Sequence, residues 1–325
     1  MAKSKLDTTL EEIKKRYGVG AVLLGDETVK VERQKTGSLG LDIITGGGYG
    51  KGRFVEFVAP ESSGKTTVCI HAMVTAQKDN PNKKVAFIDA EHAFDRFYAE
   101  ALGLDMSSVI FCQPDNGEQA LDILDSLIKS GEISLAVVDS IAALTPKSEI
   151  EGEMGESKIG LHARLMSQAC RKLTAETGRT KTIVLWTNQI RDKIGVMYGS
   201  PEVSTGGNAM KFYSSIRIDL RKKQGNKDDS GALVDNKVTA KTIKNKLAPP
   251  YQKTEFDIVF GKGIDRESEI VSIGTEIGLI QKSGSWFSYG DTKLGQGAAN
   301  VKELLRDNPE LSDKLEKKIR TYFGI

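Results

Sequence analysis

Residues 53–78 read RFVEFVAPESSGKTTVCIHAMVTAQK, and this stretch decides what kind of fold the chain has. An apolar run predicts a buried β-strand, a short loop of small residues follows, and an apolar-periodic stretch then predicts a helix. The loop at 59–66 matches the phosphate-binding pattern G-x-x-x-x-G-K-[ST] except at its first position, which is Ala59. Strand, loop and helix are the context that this pattern requires, so the sequence predicts a nucleotide site on an α/β fold.

Each residue type in this loop has a physical role. Backbone N–H groups of the turn bind the β- and γ-phosphates, Gly64 allows close approach, and Lys65 supplies a point charge. The Thr66 hydroxyl is a ligand for Mg²⁺, and the following helix directs its positive end at the anion. Ala59 adds only a methyl group, which costs little at negative φ and about 1 kcal/mol at positive φ.

Strands and helices alternate after the loop. The strand candidates are KVAFIDA (84–90), SVIFCQ (108–113), ISLAVVDS (133–140) and KTIVLWTNQ (181–189). The helix candidates between them are 94–102, 117–131 and 161–177. Near-continuous apolar strands separated by helices are typical of a mostly parallel sheet that is covered on both faces.

The pattern changes after residue 209. The stretches 210–223 and 237–246 predict two strands of a long hairpin at an edge of the sheet, and 254–260 predicts a further strand. The second stretch contains three lysines, Lys241, Lys244 and Lys246. An edge row of lysines that blocks aggregation is one interpretation. The other is that Lys244 and Lys246 reach a phosphate, on this subunit or a neighbouring one.

Three regions are expected along the chain. Residues 1–33 form an N-terminal arm whose helix carries one apolar stripe, so the arm should dock on its own core or on a neighbouring subunit. Residues 34–262 form an α/β core that contains the predicted nucleotide site. Residues 263–325 form a small α+β C-terminal domain.

Composition excludes several classes of protein. The chain has 325 residues and a net charge of +2, so nucleic-acid binding would depend on local basic patches. The three cysteines, Cys69, Cys112 and Cys170, are far apart among apolar residues and predict reduced thiols of a cytoplasmic protein. Residues 1–18 lack the apolar segment of a secretory signal, and no apolar run reaches the ~20 residues of a membrane span.

Carboxylates follow two of the predicted strands. Asp139 ends an apolar strand, where open α/β sheets bind ligands, and is well placed to hold Mg²⁺. Asp89, Glu91 and Asp95 follow the strand at 84–90, and one of them could orient and deprotonate the attacking water. The local sequence does not select among these three, and capping or surface charge explains them equally well.

Two loops are too long and too rich in glycine to be mere connections. Residues 148–160 and 190–207 both leave the carboxyl edge of the sheet. The second loop mixes basic residues with apolar and aromatic ones, a combination that suits a single nucleic-acid strand. A flexible lid over the nucleotide is the competing interpretation.

Several longer motifs carry a specific resemblance. They include TGSLGLDI, PESSGKTT, FIDAEHAFD, VVDSIAALTPKSEIEGEMGES, NQIRDKIGVMYGSPEVSTGGNAMKFY, KNKLAPP and SGSWFSYGDTKLGQG. From about residue 30 to its end, the chain resembles the RecA recombinase family of P-loop ATPases. The resemblance implies an ATP- and Mg²⁺-dependent helical filament on single-stranded DNA that pairs it with homologous double-stranded DNA and exchanges strands. It also implies mediator proteins and a self-cleaving repressor of the SOS response as partners.

The resemblance also assigns roles to residues. Glu91 corresponds to the catalytic base, Gln189 to the sensor of the γ-phosphate, and Lys65 to the catalytic lysine. Thr66 and Asp139 correspond to the metal ligands, and Lys244 and Lys246 to the pair that reaches ATP across the subunit interface. The implied nucleotide contacts are Pro60, Glu61, Ser62, Ser63, Gly64, Lys65, Thr66, Thr67, Asp95, Tyr98, Asp139, Ser140, Lys244 and Lys246. The implied DNA contacts are Met154, Ile159, Arg164, Ser167, Arg171, Arg191, Ile194, Gly206, Gly207 and Asn208.

The chain departs from the family pattern at Ala59, at Trp186 and in the turn GGGYGKG (46–52), which lacks an expected proline. It also ends without an acidic tail, so we expect DNA binding to be less restrained than in relatives that have one. Two rival interpretations stay open on the sequence: a ring-forming motor such as a DnaB-like helicase, and a non-hydrolysing DNA-binding scaffold. A DNA-dependent ATPase and strand-exchange protein is the leading one.

Overall fold

The computed structural model describes residues 4–18, 21–22, 31–153, 160–192, 202–226, 230–231 and 233–325. The helices are α1 Lys5–Tyr17, α2 Leu39–Thr45, α3 Lys65–Asp79, α4 Arg96–Ala101, α5 Gly117–Ser130, α6 Lys147–Ile150, α7 Leu161–Thr180, α8 Ala209–Tyr213, α9 Arg266–Glu276, α10 Ala298–Asp307 and α11 Pro309–Phe323. The strands are β1 Arg33–Gln34, β2 Tyr49–Gly50, β3 Phe54–Ala59, β4 Lys84–Asp89, β5 Val109–Cys112, β6 Ile133–Asp139, β7 Ile183–Asp192, β8 Glu202–Ser204, β9 Ile216–Lys223, β10 Asp235–Asn245, β11 Lys253–Val259, β12 Gly263–Ile264, β13 Gln281–Ser283, β14 Trp286–Tyr289 and β15 Thr292–Gln296. Among the described residues, no helix combines the length and the apolar character needed to cross a membrane.

The chain divides into two units, Met1–Glu32 and Arg33–Ile325. In the first unit, Ser4 begins α1 with a capping box, in which its hydroxyl accepts from the Asp7 N–H and the Asp7 carboxylate accepts from the Ser4 N–H. The predicted helix is therefore confirmed. None of its residues is buried.

The second unit is built on a large sheet with strand order β12-β11-β10-β9-β3-β7-β6-β4-β5, and β8 pairs with β7. The strands from β9 to β5 in this order are parallel to their neighbours, and β10, β11 and β12 are antiparallel. Buried residues form one apolar cluster on each face, around α3 on one side and around α5 and α7 on the other. The predicted mostly parallel, doubly covered sheet is confirmed.

Local signals explain where the helices begin and end. Asn116 accepts from the Gln119 N–H at the start of α5, and Gly131 ends the helix at φ 75. Within α5, Ala120, Leu124 and Ile128 are buried, as their spacing predicts. The cysteines are free; Cys69 and Cys170 are buried and Cys112 is half-buried, in agreement with the prediction of reduced thiols.

Three expectations for residues after 189 were wrong in part. Residues 210–213, predicted as the start of a strand over 210–223, belong instead to α8; Met210 is buried there, and Cys170 of α7 donates to its sulfur. The hairpin of β9 and β10 is not at an edge, because β9 pairs with β3 and β11 covers β10. Lys241 thus lies on a strand that is paired on both sides, which removes the edge-lysine interpretation for this residue. The ends of the 190–207 loop are also ordered, since β7 extends to Asp192 and pairs with β8.

The last part of the chain forms its own apolar cluster from α9, α10, α11 and the β13–β15 meander. Two buried carboxylates join it to α2. The Glu269 carboxylate accepts from the Ser38 hydroxyl at 2.6 Å and from the Gly40 N–H at 2.8 Å. The Arg320 guanidinium donates to Asp42 at 2.8 Å. Because a buried carboxylate is costly unless it is hydrogen-bonded, these pairs hold the two parts in one arrangement.

Candidate active site

The phosphate loop lies between β3 and α3, as the sequence predicts. Gly64 has φ 85, so the turn favours glycine, and a Cβ at this position would force the end of the Ile258 side chain to shift. Ala59 is fully buried, pairs with Gln189 in the sheet, and does not have positive φ. Of the two cases considered for Ala59, the structure therefore confirms the one in which the methyl group costs little. Ala59 is an ordinary strand end.

A cavity of about 360 Å³ lies at this edge of the sheet. Its lining residues are Glu61, Ser62, Ser63, Gly64, Lys65, Thr66, Thr67, Glu91, Tyr98, Asp139, Gln189, Asn236, Val238, Ile258 and Phe260. Most of the predicted nucleotide contacts thus meet around one space, which lies at the N-terminal end of α3. A helix N-terminus with free N–H groups is a favourable place for a phosphate.

Lys65 is held at the mouth of the loop by backbone carbonyls. Its Nζ donates to the carbonyl of Pro60 at 3.0 Å and to that of Ala59 at 3.4 Å. Burial lowers the pKa of Lys65, whereas the carboxylates of Asp139 and Glu91 act in the opposite direction. A phosphate oxygen is a stronger partner for an ammonium group than a neutral carbonyl, so this lysine is suited to bind one.

Thr66 and Asp139 place two hard oxygen atoms together at the floor of the cavity. The Thr66 hydroxyl donates to Asp139 Oδ2 at 2.7 Å, and the Thr187 hydroxyl donates to Oδ1 at 2.5 Å. Burial raises the pKa of Asp139, and these two hydrogen bonds act in the opposite direction. Oxygen ligands of this kind fit Mg²⁺, which normally takes few protein ligands beside phosphates and water. The described residues contain no cluster of three or more His, Cys, Asp or Glu that could hold a metal.

The three carboxylates that the sequence could not separate have different environments. Asp89 is buried and accepts from the N–H groups of Ala93 and Phe94, both at 3.2 Å. Asp95 caps α4 and does not line the cavity. Glu91 does line it; its Oε1 accepts from the Ser140 hydroxyl and, at 3.1 Å, from the Gln189 amide. Of the three, Glu91 has the position of a base.

Part of the lining of the cavity was not predicted from the sequence. Tyr98 was expected there and lies 3.1 Å from the Thr67 hydroxyl, oxygen to oxygen. Asn236, Val238, Ile258 and Phe260 were not expected. They belong to β10, β11 and the turn after them, and only the antiparallel pairing brings them back to this edge. Thr187 was also missed, although a threonine within the apolar run VLWTNQ was a usable signal.

Lys244 and Lys246 lie near the opposite end of the sheet from the phosphate loop. The Lys246 N–H donates to the Ser215 carbonyl, and the Ser215 N–H donates to the carbonyl of Phe54, the first residue of β3. The Lys244 ammonium donates to the Phe212 carbonyl at 3.0 Å, and burial with the nearby Lys246 lowers its pKa to about 8. The structure thus does not bring these two lysines to the cavity of their own chain.

The expected DNA contacts lie partly outside the described residues, namely Met154, Ile159 and Ile194. Of the others, Arg164, Ser167 and Arg171 lie on α7, and Arg191 is exposed near the end of β7. Gly206, Gly207 and Asn208 lead into α8. A Cβ on Gly207, which has φ 71, would be 2.8 Å from the Ala163 Cβ, so this turn packs closely on the start of α7. The structure thus brings the ends of both long loops together.

Comparisons with known proteins agree with this geometry. The sequence model described as RecA N-terminal domain matches residues 4–265, and that of the RecA C-terminal domain matches residues 268–324. The chain is 55% identical over 315 residues to Protein RecA of Bacteroides thetaiotaomicron, covering 96% of this chain and 94% of the relative. It is 55% identical over 313 residues to Protein RecA of Porphyromonas gingivalis, covering 95% and 91%. It is 53% identical over 323 residues to Protein RecA of Cutibacterium acnes, covering 98% and 92%.

Proposed function

This chain belongs to the RecA family, and from that premise we propose that it forms helical filaments on single-stranded DNA and exchanges strands with a homologous duplex. As a member of the family it is a DNA-dependent ATPase that acts in recombination and DNA repair. The ring-forming helicase is thereby set aside. The observation that supports the proposal best is the meeting of Lys65, the Thr66–Asp139 pair and Glu91 around one cavity.

In this proposal the phosphate loop binds ATP. The N–H groups of the loop and the positive end of α3 bind the phosphates, and Lys65 exchanges its two backbone carbonyls for phosphate oxygen. Thr66 and Asp139 would hold Mg²⁺, which supplies charge neutralisation between the phosphates. Tyr98 and Phe260 both line the cavity, and we assign to these aromatic side chains the contact with the base.

Glu91 acts as the general base. Its carboxylate accepts the proton of a water molecule that attacks the γ-phosphorus, and Ser140 and Gln189 hold the side chain in place by hydrogen bonds. We propose that Gln189, which lines the same cavity, exchanges its bond to Glu91 for one to the γ-phosphate when ATP is bound. Since Gln189 lies on β7, which continues into the 190–207 segment, we assign to it the coupling between nucleotide and DNA.

The two long loops are proposed to bind single-stranded DNA. Support comes from Arg191, exposed on β7, and from the close packing of Gly206 and Gly207 beside α7, which carries Arg164 and Arg171. Basic groups neutralise phosphates, and apolar residues of the loops separate or stack bases. Met154, Ile159 and Ile194 are assigned to this second role on the family resemblance alone.

Filament formation is supported by two features. First, α1 has one apolar stripe that a single short helix cannot bury by itself, which suits docking of residues 1–33 on a neighbouring subunit. Second, Lys244 and Lys246 lie away from the cavity of their own chain, which suits contact with the ATP of the next one. We keep 34–262 as the core and 263–325 as the C-terminal domain, and the matched ranges that meet at 265–268 support a boundary in that region.

We further propose that the protein works in the cytoplasm, with mediator proteins and a self-cleaving repressor of the SOS response as partners. The free cysteines, two of them buried, support a reducing compartment. The partners rest on the family alone. Repressor cleavage in the presence of the filament is the corresponding test.

The decisive experiment is strand exchange between a circular single strand and a homologous linear duplex, with ATP and Mg²⁺. We expect joint molecules and then nicked circles that depend on ATP. ATP hydrolysis measured with and without single-stranded DNA separates this function from the non-hydrolysing scaffold. Absence of DNA-stimulated turnover would exclude the enzyme, and hexameric rings in place of filaments in electron micrographs would contradict the assembly.

A further inference from the structure

A buried polar cluster lies beneath the candidate DNA-binding hairpin, outside the nucleotide cavity. Glu56 of β3 and Asn188 of β7 are both fully buried. The Asn188 amide donates to Glu56 Oε1 at 2.9 Å and to the Thr205 carbonyl at 3.0 Å, and the Thr205 hydroxyl donates to Asn188 Oδ1 at 2.5 Å. Arg217 of β9 donates to Glu56 Oε2 at 2.5 Å. Both amide donors of Asn188 and its acceptor are therefore occupied.

This cluster holds the point at which the hairpin returns to the sheet. β7 and β8 pair as the two arms of the hairpin, and Thr205 is the residue that follows β8. Asn188 binds both the backbone and the side chain of Thr205, so it fixes this residue in position and in orientation. Glu56 in turn fixes the Asn188 amide, and a buried carboxylate with these two partners has little freedom to move.

The same elements lead directly to Glu91. Because side chains alternate along a strand, Asn188 and Gln189 point to opposite sides of β7, and Gln189 donates to Glu91. A second connection runs through Ser140, the other donor to Glu91. Its neighbour Ile141 packs against Gly206, where a Cβ would be 2.9 Å from Ile141 Cγ2. Each group that holds Glu91 is thus one residue from a contact that holds the end of the hairpin.

We propose that Glu56, Asn188 and Thr205 are positioning residues that keep the hairpin end in register with the nucleotide site. Stimulation of ATP hydrolysis by single-stranded DNA then depends on the Thr205 hydroxyl. This inference rests on the proposed function, because it takes the 190–207 segment as a DNA-binding element. It adds to that function a second anchor, distinct from the Gln189 contact.

The test is Thr205→Val, which removes the hydroxyl and keeps the shape of the side chain. Thr205→Ser is the conservative variant that restores the hydrogen bond. Thr182→Val is the matched control, because Thr182 is fully buried just before β7 and its hydroxyl donates to the Ile133 carbonyl at 2.9 Å, away from the hairpin. For each variant, ATP hydrolysis is titrated with a poly-dT oligonucleotide, and the KM for ATP and the thermal midpoint are measured on the same samples.

We expect Thr205→Val to raise the DNA concentration for half-maximal stimulation about fivefold, the ratio that corresponds to loss of one hydrogen bond of about 1 kcal/mol; the Thr205 hydroxyl bond is half-buried. Thr205→Ser and Thr182→Val should stay close to the wild-type value. A wild-type value for Thr205→Val would overturn the proposal. So would equal effects of Thr205→Val and Thr182→Val on this concentration, or a rise that follows the fall in thermal midpoint across all variants, since either result indicates general destabilisation.

Glu56→Gln tests the cluster from its other end, and it serves also if Thr205→Val does not fold. It weakens the acceptor of the Asn188 amide. Like Thr205→Val, it should therefore raise the DNA concentration at which stimulation is half-maximal. An unchanged value would show that the cluster does not act as a unit, and the proposal would fall. If the wild-type protein itself shows no stimulation by DNA, the proposed function fails first, and the two failures are thereby distinguished.

Discussion

Replacement of Glu269 by glutamine should change how the stability of this protein depends on pH. The Glu269 carboxylate is buried between α9 and the start of α2, where it accepts hydrogen bonds from Ser38 and from the N–H groups of Leu39 and Gly40. Burial raises the pKa of this carboxyl from its ordinary 4.5 to about 7, and the nearby Asp42 adds to the effect. Glutamine keeps the shape of the side chain and does not titrate.

The sign and size of this pH dependence follow from the linkage between proton binding and unfolding. A carboxyl with a raised folded-state pKa contributes stability that is fully present below the unfolded-state value and is lost as the pH rises through the folded-state value. Between these pH values the folded protein binds the proton and the unfolded chain does not. A pKa difference of about 2.5 corresponds to about 3 kcal/mol at about 1.36 kcal/mol per pKa unit. The wild type should lose most of this contribution to its free energy of unfolding, roughly 2–3 kcal/mol, between about pH 5 and pH 8.

Urea unfolding followed by circular dichroism at several pH values measures the effect. The quantity to plot is the free energy of unfolding of Glu269→Gln minus that of the wild type, which should rise with pH across this interval. A constant offset from altered hydrogen bonds does not affect the slope, and Asp42 is present in both proteins. Glu276→Gln, exposed on the same helix, controls for loss of a carboxylate. A flat difference for Glu269→Gln would refute the reasoning.

Three further predictions concern the nucleotide site. Glu91→Gln should lower the kcat of ATP hydrolysis by about 10²–10⁴-fold and keep ATP-dependent DNA binding, as measured by steady-state turnover and by anisotropy of a labelled oligonucleotide; loss of both would contradict its role as base. Ala59→Gly should change ATP affinity by less than about threefold in equilibrium titration, because the residue already lies in β3 without positive φ; a large rise would mean that the methyl group distorts the loop. Gly64→Ala should weaken ATP binding at least about tenfold, because the residue has φ 85 and its new Cβ would overlap Ile258; wild-type affinity would show that the loop adapts.

Much of the candidate site was predictable because it is encoded in short segments. The phosphate loop, the Asp139 strand end and the alternation of strands and helices each depend on neighbouring residues with a definite period or spacing. The prediction that Ala59 ends a strand at low cost has the same local basis. Long motifs added the family resemblance, and the comparisons confirmed it.

Other parts of the site depend on residues far apart in the chain. The choice of Glu91 over Asp89 and Asp95 required knowing where Ser140 and Gln189 lie, since these two donors come from other strands. The order of the strands could not be predicted from the sequence either. The lysine-rich β10 resembles an edge strand in sequence, yet β11 and β12 lie between it and the edge of the sheet. Residues 210–213 look strand-like, yet they belong to α8, in which Met210 is buried and accepts from Cys170 of α7.

The sequence by itself determined the fold class, the phosphate loop, the strand-end aspartate and the family, because local periodicity and spacing carry that information. Tertiary structure alone decided which carboxylate faces the cavity, that Phe260 lines it, and that Asn188 ties Thr205 to Glu56. The physical reason is that these contacts are set by the order and register of strands in the sheet. Backbone pairing sets that register over the whole core, and no short segment contains it.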